Sequence, residues 1–119
     1  MAKCLVVDDV AVTRFTTDQY LREMGIDVIS VADGDAALET LRSGAVDVVL
    51  LDWHLGKLSG LDVLQDMKSQ FPSIPVIMFS GVEGAGKQAE ALQAGAKDFI
   101  AKPTTKDKLE ASMKRLGII

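Results

Sequence analysis

Five residues stand directly after short apolar runs and carry side chains suited to handling a cation and a phosphoryl group. Asp8 and Asp9 follow Cys4–Val7, Asp52 follows Val46–Leu51, Ser80 follows Val76–Phe79, and Lys102 follows Phe99–Ala101. A carboxylate is costly at the end of a buried strand, and three converging on one crevice repel one another unless a cation joins them. A hard divalent ion with oxygen ligands relieves that repulsion. Magnesium in particular keeps several waters and takes one or two carboxylates plus phosphate oxygens, which suits an open acidic site. A lysine ammonium shares the neutralisation and faces any phosphoryl group bound there. Each residue also has an ordinary alternative: Asp8 or Asp9 as a helix cap, Asp52 as a turn opener, Ser80 with Gly81 as turn chemistry. Two adjacent aspartates exceed what one cap needs, and four of the five runs end in these residue types, so a shared polar site is the better reading.

The elements that must position these residues are legible from hydrophobic spacing. A fifth apolar run covers Ile26–Ala32, and the stretches LVV, VVLL and VIMF are continuous, as strands buried on both faces of a parallel sheet require. Helical patterns fill the gaps. Thr13–Met24 carries Phe15, Tyr20, Leu21 and Met24 and stops at Gly25; Asp35–Arg42 carries Ala37, Leu38 and Leu41 before Gly44. Leu61, Leu64, Met67 and Phe71 form one helix face that Pro72 closes, Lys87–Ala94 is alanine-rich and ends at Gly95, and Leu109, Met113 and Leu116 mark the last helix. Five strand-helix units in succession, without repeat or linker, predict an α/β fold with a doubly wound parallel sheet and one domain over residues 1–119. Function then collects beyond the carboxyl ends of the strands, where the five polar residues lie.

Composition narrows the function classes. The chain has 119 residues, 48% hydrophobic and 25% charged, enough for one core and too apolar for disorder. Cys4 is the single cysteine, so no intramolecular disulfide forms, and no Cys/His spacing suggests zinc. No apolar run approaches membrane-spanning length and no signal-peptide pattern precedes Asp8, so the expected compartment is the cytoplasm, with no membrane partner. A net charge of -4 disfavours direct binding to nucleic acid. From Lys97 to Ile119, six basic and three acidic residues leave +3 against -7 for the remainder. That segment is a solvated helix face or a docking surface for an acidic partner.

The motifs together resemble the receiver domain of response regulators, of the CheY-like single-domain kind. They are VVDD at Val6–Asp9, LLDW at Leu50–Trp53, SGLDVL at Ser59–Leu64, MFSG at Met78–Gly81 and GAKDFIAKP at Gly95–Pro103. The resemblance implies a flavodoxin-like (βα)5 sheet of order 2-1-3-4-5. It implies that Asp52 accepts a phosphoryl group from a phosphohistidine of a sensor histidine kinase or phosphotransfer protein, becoming a 4-aspartylphosphate. Asp9, Asp52 and the backbone carbonyl of His54 would bind Mg2+, with Asp8 acting through water. Lys102 and Ser80 would meet the phosphoryl oxygens. Ser80 and Phe99 would form the switch that alters a partner-binding surface on the C-terminal face, and the Lys102–Pro103 peptide would be cis. The protein is then a monomeric two-component phosphorylation switch rather than a metabolic enzyme, catalysing its own phosphoryl transfer and slow dephosphorylation.

Departures from the family pattern fall after Asp52. Gly56 stands where the family usually has proline and Ser59 where it has aspartate, which predicts a looser loop. The resemblance implies that His54 and Glu83 occupy loop positions flanking the phosphoryl site and bear on phosphoryl lifetime; Trp53 is expected to be partly exposed, and Cys4 buried and inert. The alternatives are a receiver module of a longer DNA-binding regulator or hybrid kinase, and a magnesium-dependent aspartyl-phosphate phosphatase. Phosphatases of the haloacid dehalogenase type resemble DxD after the first strand, whereas here the aspartates are contiguous and Val10 follows. A flavin protein of similar topology would need a hydroxyl-rich phosphate loop, which VDDVAVT does not supply.

Overall fold

The computed structural model describes residues 2–56, 58–81 and 85–119. Five strands, β1 (Lys3–Val7), β2 (Asp27–Val31), β3 (Val48–Asp52), β4 (Val76–Ser80) and β5 (Asp98–Ala101), alternate with five helices. These are α1 (Ala11–Glu23), α2 (Gly34–Arg42), α3 (Gly60–Gln70), α4 (Ala85–Gln93) and α5 (Lys106–Arg115). The strands form one parallel sheet in the order 2-1-3-4-5. A short antiparallel ribbon, His54–Leu55 against Leu58–Ser59, links β3 to α3. This ribbon lies in the loop after Asp52 where Gly56 and Ser59 depart from the family pattern. No helix among the described residues is long and apolar enough to cross a membrane.

The continuous apolar runs divide between two faces because strand side chains alternate. Leu5, Val7, Val49, Leu51, Val76 and Met78 pack on one face with Ala37 and Leu41 of α2, Val63, Leu64 and Met67 of α3, and Ala91 of α4. Cys4, Val6, Val48, Leu50, Ile77 and Phe79 pack on the other with Leu21 of α1 and Leu109 and Met113 of α5. Each fully buried leucine or methionine contributes about 1.5–3 kcal/mol over exposure, and the two clusters hold the sheet between helix layers. Burial also pushes the Cys4 thiol well above its ordinary pKa, with the Asp18 charge adding to it, so Cys4 is an unreactive thiol of the core.

Helix ends follow local chemistry. Gly25 and Gly44 take left-handed backbone angles (φ +81° and +88°) immediately beyond the C-caps of α1 and α2. Asp33 and Thr105 cap α2 and α5, accepting from Ala36 N at 2.8 Å and Lys108 N at 3.3 Å. The expected inward face of α1 needs one correction: Phe15 is 63% exposed. Phe15 lies six residues before Leu21, about 240° around the helix axis, whereas Thr17, four residues before Leu21, takes the inward position and is buried.

Asp98, at the start of β5, ties that strand to α5. Its carboxylate accepts from Phe99 N at 2.8 Å, from the Ser112 hydroxyl at 2.6 Å and from the Arg115 guanidinium. Burial alone raises its pKa, but the Ser112, Arg115 and Phe99 donors outweigh it and hold the carboxyl below its usual value. A depressed folded-state pKa contributes stability that is present above the unfolded value and is lost as pH falls through the folded one. Asp98→Ala is therefore expected to cost about 1–2 kcal/mol at neutral pH, a gap that closes on acidification below about pH 4. Denaturant unfolding of both proteins across pH checks this, and a gap unchanged at pH 3 would assign the loss to packing instead.

Candidate functional site: the carboxyl ends of the central strands

β1 delivers Asp8 and Asp9 to the end of the sheet. Asp8 is buried and Asp9 exposed. Neither is the helix cap that sequence allowed: Val10 occupies the N-cap of α1 and no side chain caps it. The Asp8 Oδ1 instead accepts from Val10 N at 2.9 Å, which turns the loop back over the strand end. On α1 the Arg14 guanidinium donates to the Asp8 carbonyl at 2.7 Å and fixes the same loop from the other side.

β3, beside β1, places Asp52 next to this pair, with Asp52 only 5% exposed. From the end of β5, the Lys102 ammonium lies 2.8 Å from Asp8 Oδ2 and 3.1 Å from Asp52 Oδ2, bridging the two buried carboxylates. Lys102 N donates to the Ser80 carbonyl at 2.7 Å, and the Lys102–Pro103 peptide is cis. Ser80, the last residue of β4, is fully buried beside them. Asp9 Oδ2 accepts from the Gly56 backbone amide at 3.0 Å, and Asp52 Oδ1 faces His54 N at 3.4 Å. Strands 1, 3, 4 and 5 thus bring Asp8, Asp9, Asp52, Ser80 and Lys102 to one end of the sheet.

Asp8, Asp9 and Asp52 each offer a carboxylate oxygen, all within 4.8 Å of one another. Three hard oxygen donors at that spacing, one of them exposed, fit a hydrated divalent cation such as Mg2+. Burial raises the pKa of Asp52 most; the Lys102 charge pulls it down and the Asp8 charge pushes it up again, leaving it above the usual carboxylate value. A second cation is the natural complement of that charge excess.

The surroundings include residues that sequence reasoning misplaced or missed. Trp53 is buried, 3% exposed, rather than partly exposed. Its ring joins the core cluster of β1, β3 and α3, and the Lys87 ammonium of α4 covers it, 4.6 Å from the ring centroid. Ser59 replaces the family's aspartate with another good cap, its hydroxyl accepting from Leu61 N at 3.2 Å at the start of α3. His54 is exposed, and Glu83 lies outside the described residues. Phe99 is half-buried against the core and pairs in register with Met78 of β4, two residues before Ser80. Arg14 carried no signal in the sequence, since an arginine six residues after Asp8 reads as a solvent-facing helix residue; Gly56 was marked only as a departure from the family pattern, and its contact with Asp9 runs through its backbone.

Comparison with known proteins agrees with this geometry. The family model for the response regulator receiver domain matches residues 4–114. The receiver domain of NtrX from Brucella abortus is 35% identical, with a TM-score of 0.90, 95% of this chain and 96% of that one being covered. The chemotaxis protein CheY4 of Vibrio cholerae is 28% identical with a TM-score of 0.89, covering 98% of each chain. The probable transcriptional regulatory protein TcrX of Mycobacterium tuberculosis is 33% identical over 118 residues, 96% of this chain but 50% of that protein. The chain spans half or less of the curated relatives it matches, down to 24% for the luminescence regulatory protein LuxO of Vibrio campbellii. With a family match over nearly its whole length and the acidic cluster and lysine at the ends of the sheet, the chain belongs to the response regulator receiver domains of two-component systems.

Proposed function

We propose that Asp52 accepts a phosphoryl group from a phosphohistidine, and that the aspartylphosphate switches a protein-binding face of the domain. The observation that carries this reading is the buried Asp52 carboxylate, held beside Asp8 and Asp9 and bridged to Asp8 by Lys102. In the transfer an Asp52 oxygen attacks phosphorus, the P–O bond forms as the P–N bond breaks, and the donor imidazole leaves with the electron pair. Such a step asks for in-line positioning and neutralisation of the equatorial oxygens rather than further covalent chemistry. Lys102 exchanges part of its contact with Asp52 for a phosphoryl oxygen, and the Ser80 hydroxyl donates to another. Asp9, Asp52 and the His54 carbonyl would hold Mg2+, with Asp8 acting through water, and the ion when bound supplies charge neutralisation for the carboxylates and the phosphoryl oxygens.

Output follows from the added charge, about -1.5 to -2 at neutral pH. Ser80 moving toward the phosphoryl group opens space at the end of β4, and Phe99 on the adjoining β5 turns inward to fill it. Phe99 borders the face of β5 and α5 that carries Lys108 and Arg115, so the change reaches the basic segment read from sequence. The partner on that face is a protein: another chain, or an effector joined to the receiver, as the greater length of the curated relatives suggests. Cytoplasmic location and a monomeric resting state belong to the same proposal.

Trp53 reports on the site because it follows Asp52 directly and is shielded. Mg2+ is expected to change its fluorescence, and beryllofluoride to change it further only when Mg2+ is present. Lys102→Ala is expected to keep Mg2+ binding at wild-type affinity or better, since a competing cation is gone, and to lose the beryllofluoride response. No response in the wild type would overturn the reading; a full response in Lys102→Ala would remove Lys102 from it.

A further inference from the structure

Asp9 is the member of the acidic trio with the least to hold it. Asp8 and Asp52 are buried and share the Lys102 ammonium, whereas Asp9 is exposed and engages the backbone instead. Its Oδ2 accepts from the Gly56 amide at 3.0 Å, a contact spanning 47 residues of sequence between the end of β1 and the ribbon after β3. Gly56 presents that amide from a left-handed backbone conformation, φ +64°, which glycine adopts freely and proline is barred from. No Cβ would meet a neighbour there, so the position does not demand glycine for space. In this chain, at a place where the family usually has proline, it supplies an N–H at a positive φ.

We propose that the Gly56 backbone amide is a positioning group for the cation site, holding the Asp9 carboxylate toward Asp8 and Asp52 before any ion arrives. The inference rests on the cation reading above and adds a residue to it. An exposed aspartate otherwise spreads over several rotamers, and a cation must then collect it at an entropic cost. A donor fixing one carboxylate oxygen leaves the other free to face the ion, as outer hydrogen-bond partners do for metal-ligating carboxylates. Gly56 directly follows the ribbon strand His54–Leu55, so its contact with Asp9 also ties together the two chain segments that would supply ligands, the β1 loop and the segment after β3. Gly56, the departure from the family's proline, is thus the residue whose amide reaches Asp9.

The test compares Gly56→Pro, which removes the N–H, with Gly56→Asn, which keeps it and tolerates a left-handed conformation. Mg2+ titrations followed by Trp53 fluorescence, without phosphate, are expected to give a dissociation constant about 10-fold higher for Gly56→Pro and one close to wild type for Gly56→Asn. Because the proline also alters the ribbon, both substitutions are repeated with Asp9→Ala. If Gly56 acts through Asp9, the proline penalty disappears in that background; an undiminished penalty overturns the proposal. A readout without metal stands beside it: in chelator, the Gly56 amide is expected to exchange with solvent markedly faster in Asp9→Ala than in the wild type, and equal rates overturn the contact. Failure of the wild type to bind Mg2+ would instead overturn the cation reading, whereas wild-type binding with an unaffected Gly56→Pro would overturn this inference alone.

Discussion

Asp52→Asn is expected to abolish the Mg2+-dependent beryllofluoride response of Trp53 and, in the metal-free protein, to raise the melting temperature. The two effects share one cause. Asp52 is buried at the end of β3 with Asp8 beside it, and a single Lys102 ammonium serves both carboxylates. Asparagine removes the nucleophilic oxygen and one of the two competing negative charges while leaving Lys102 paired with Asp8. The sign of the pH dependence follows from the raised Asp52 pKa, caused first by burial. A group whose carboxyl holds its proton more tightly in the folded state gains relative stability as pH falls from above the folded value toward the unfolded one. Asp52→Asn should erase that mild-acid gain, in contrast to Asp98, whose contribution is lost on acidification. Thermal melts of the metal-free proteins across pH, with and without the substitution, check it. A melting temperature lowered at neutral pH would show that ionised Asp52 stabilises the fold; a retained beryllofluoride response would move the acceptor elsewhere.

Gly60→Ala is expected to be the most damaging single methyl addition at the site. Gly60 opens α3 where its amide donates to the Trp53 carbonyl at 2.5 Å. A Cβ there would come within 2.9 Å of both the Trp53 Cα and the Trp53 carbonyl oxygen, and closer still to the Asp52 carbonyl. All three are backbone atoms of the strand end, so no rotamer change relieves the overlap, and α3 must move away from β3. Overpacking of this kind costs about 3 kcal/mol, equivalent to a fall of roughly 10 °C in melting temperature for a domain this size. Gly86→Ala is the control: Gly86 lies within α4, exposed, with nothing within 4 Å of an added Cβ. Alanine there should be neutral or stabilising by up to about 1 kcal/mol. Equal melting temperatures for the two variants would contradict the close approach of α3 to the acceptor strand.

Gly60 also marks how far one-dimensional reading reaches. The motif SGLDVL announces a helix start, and Ser59 does cap it, because capping and apolar spacing are local and carried by side-chain identity. Nothing in the motif says that the glycine backbone will touch the backbone of Asp52. Trp53 follows the same logic. Adjacent to a polar residue at a strand end, it reads as partly exposed, whereas in the fold it joins the core cluster and Lys87 of α4 lies over its ring.

By itself the sequence determined the alternation of strands and helices, the helix stops at glycine and proline, and the polar residues at the strand ends. These depend on neighbours within a few residues, where periodicity and side-chain chemistry act directly. Only the tertiary structure decided which polar residues share a partner. Asp8 and Lys102 meet across 94 residues because strands 1, 3, 4 and 5 lie side by side in that order. Asp9 meets Gly56 through a backbone amide, a donor that every residue except proline carries and that no residue type announces.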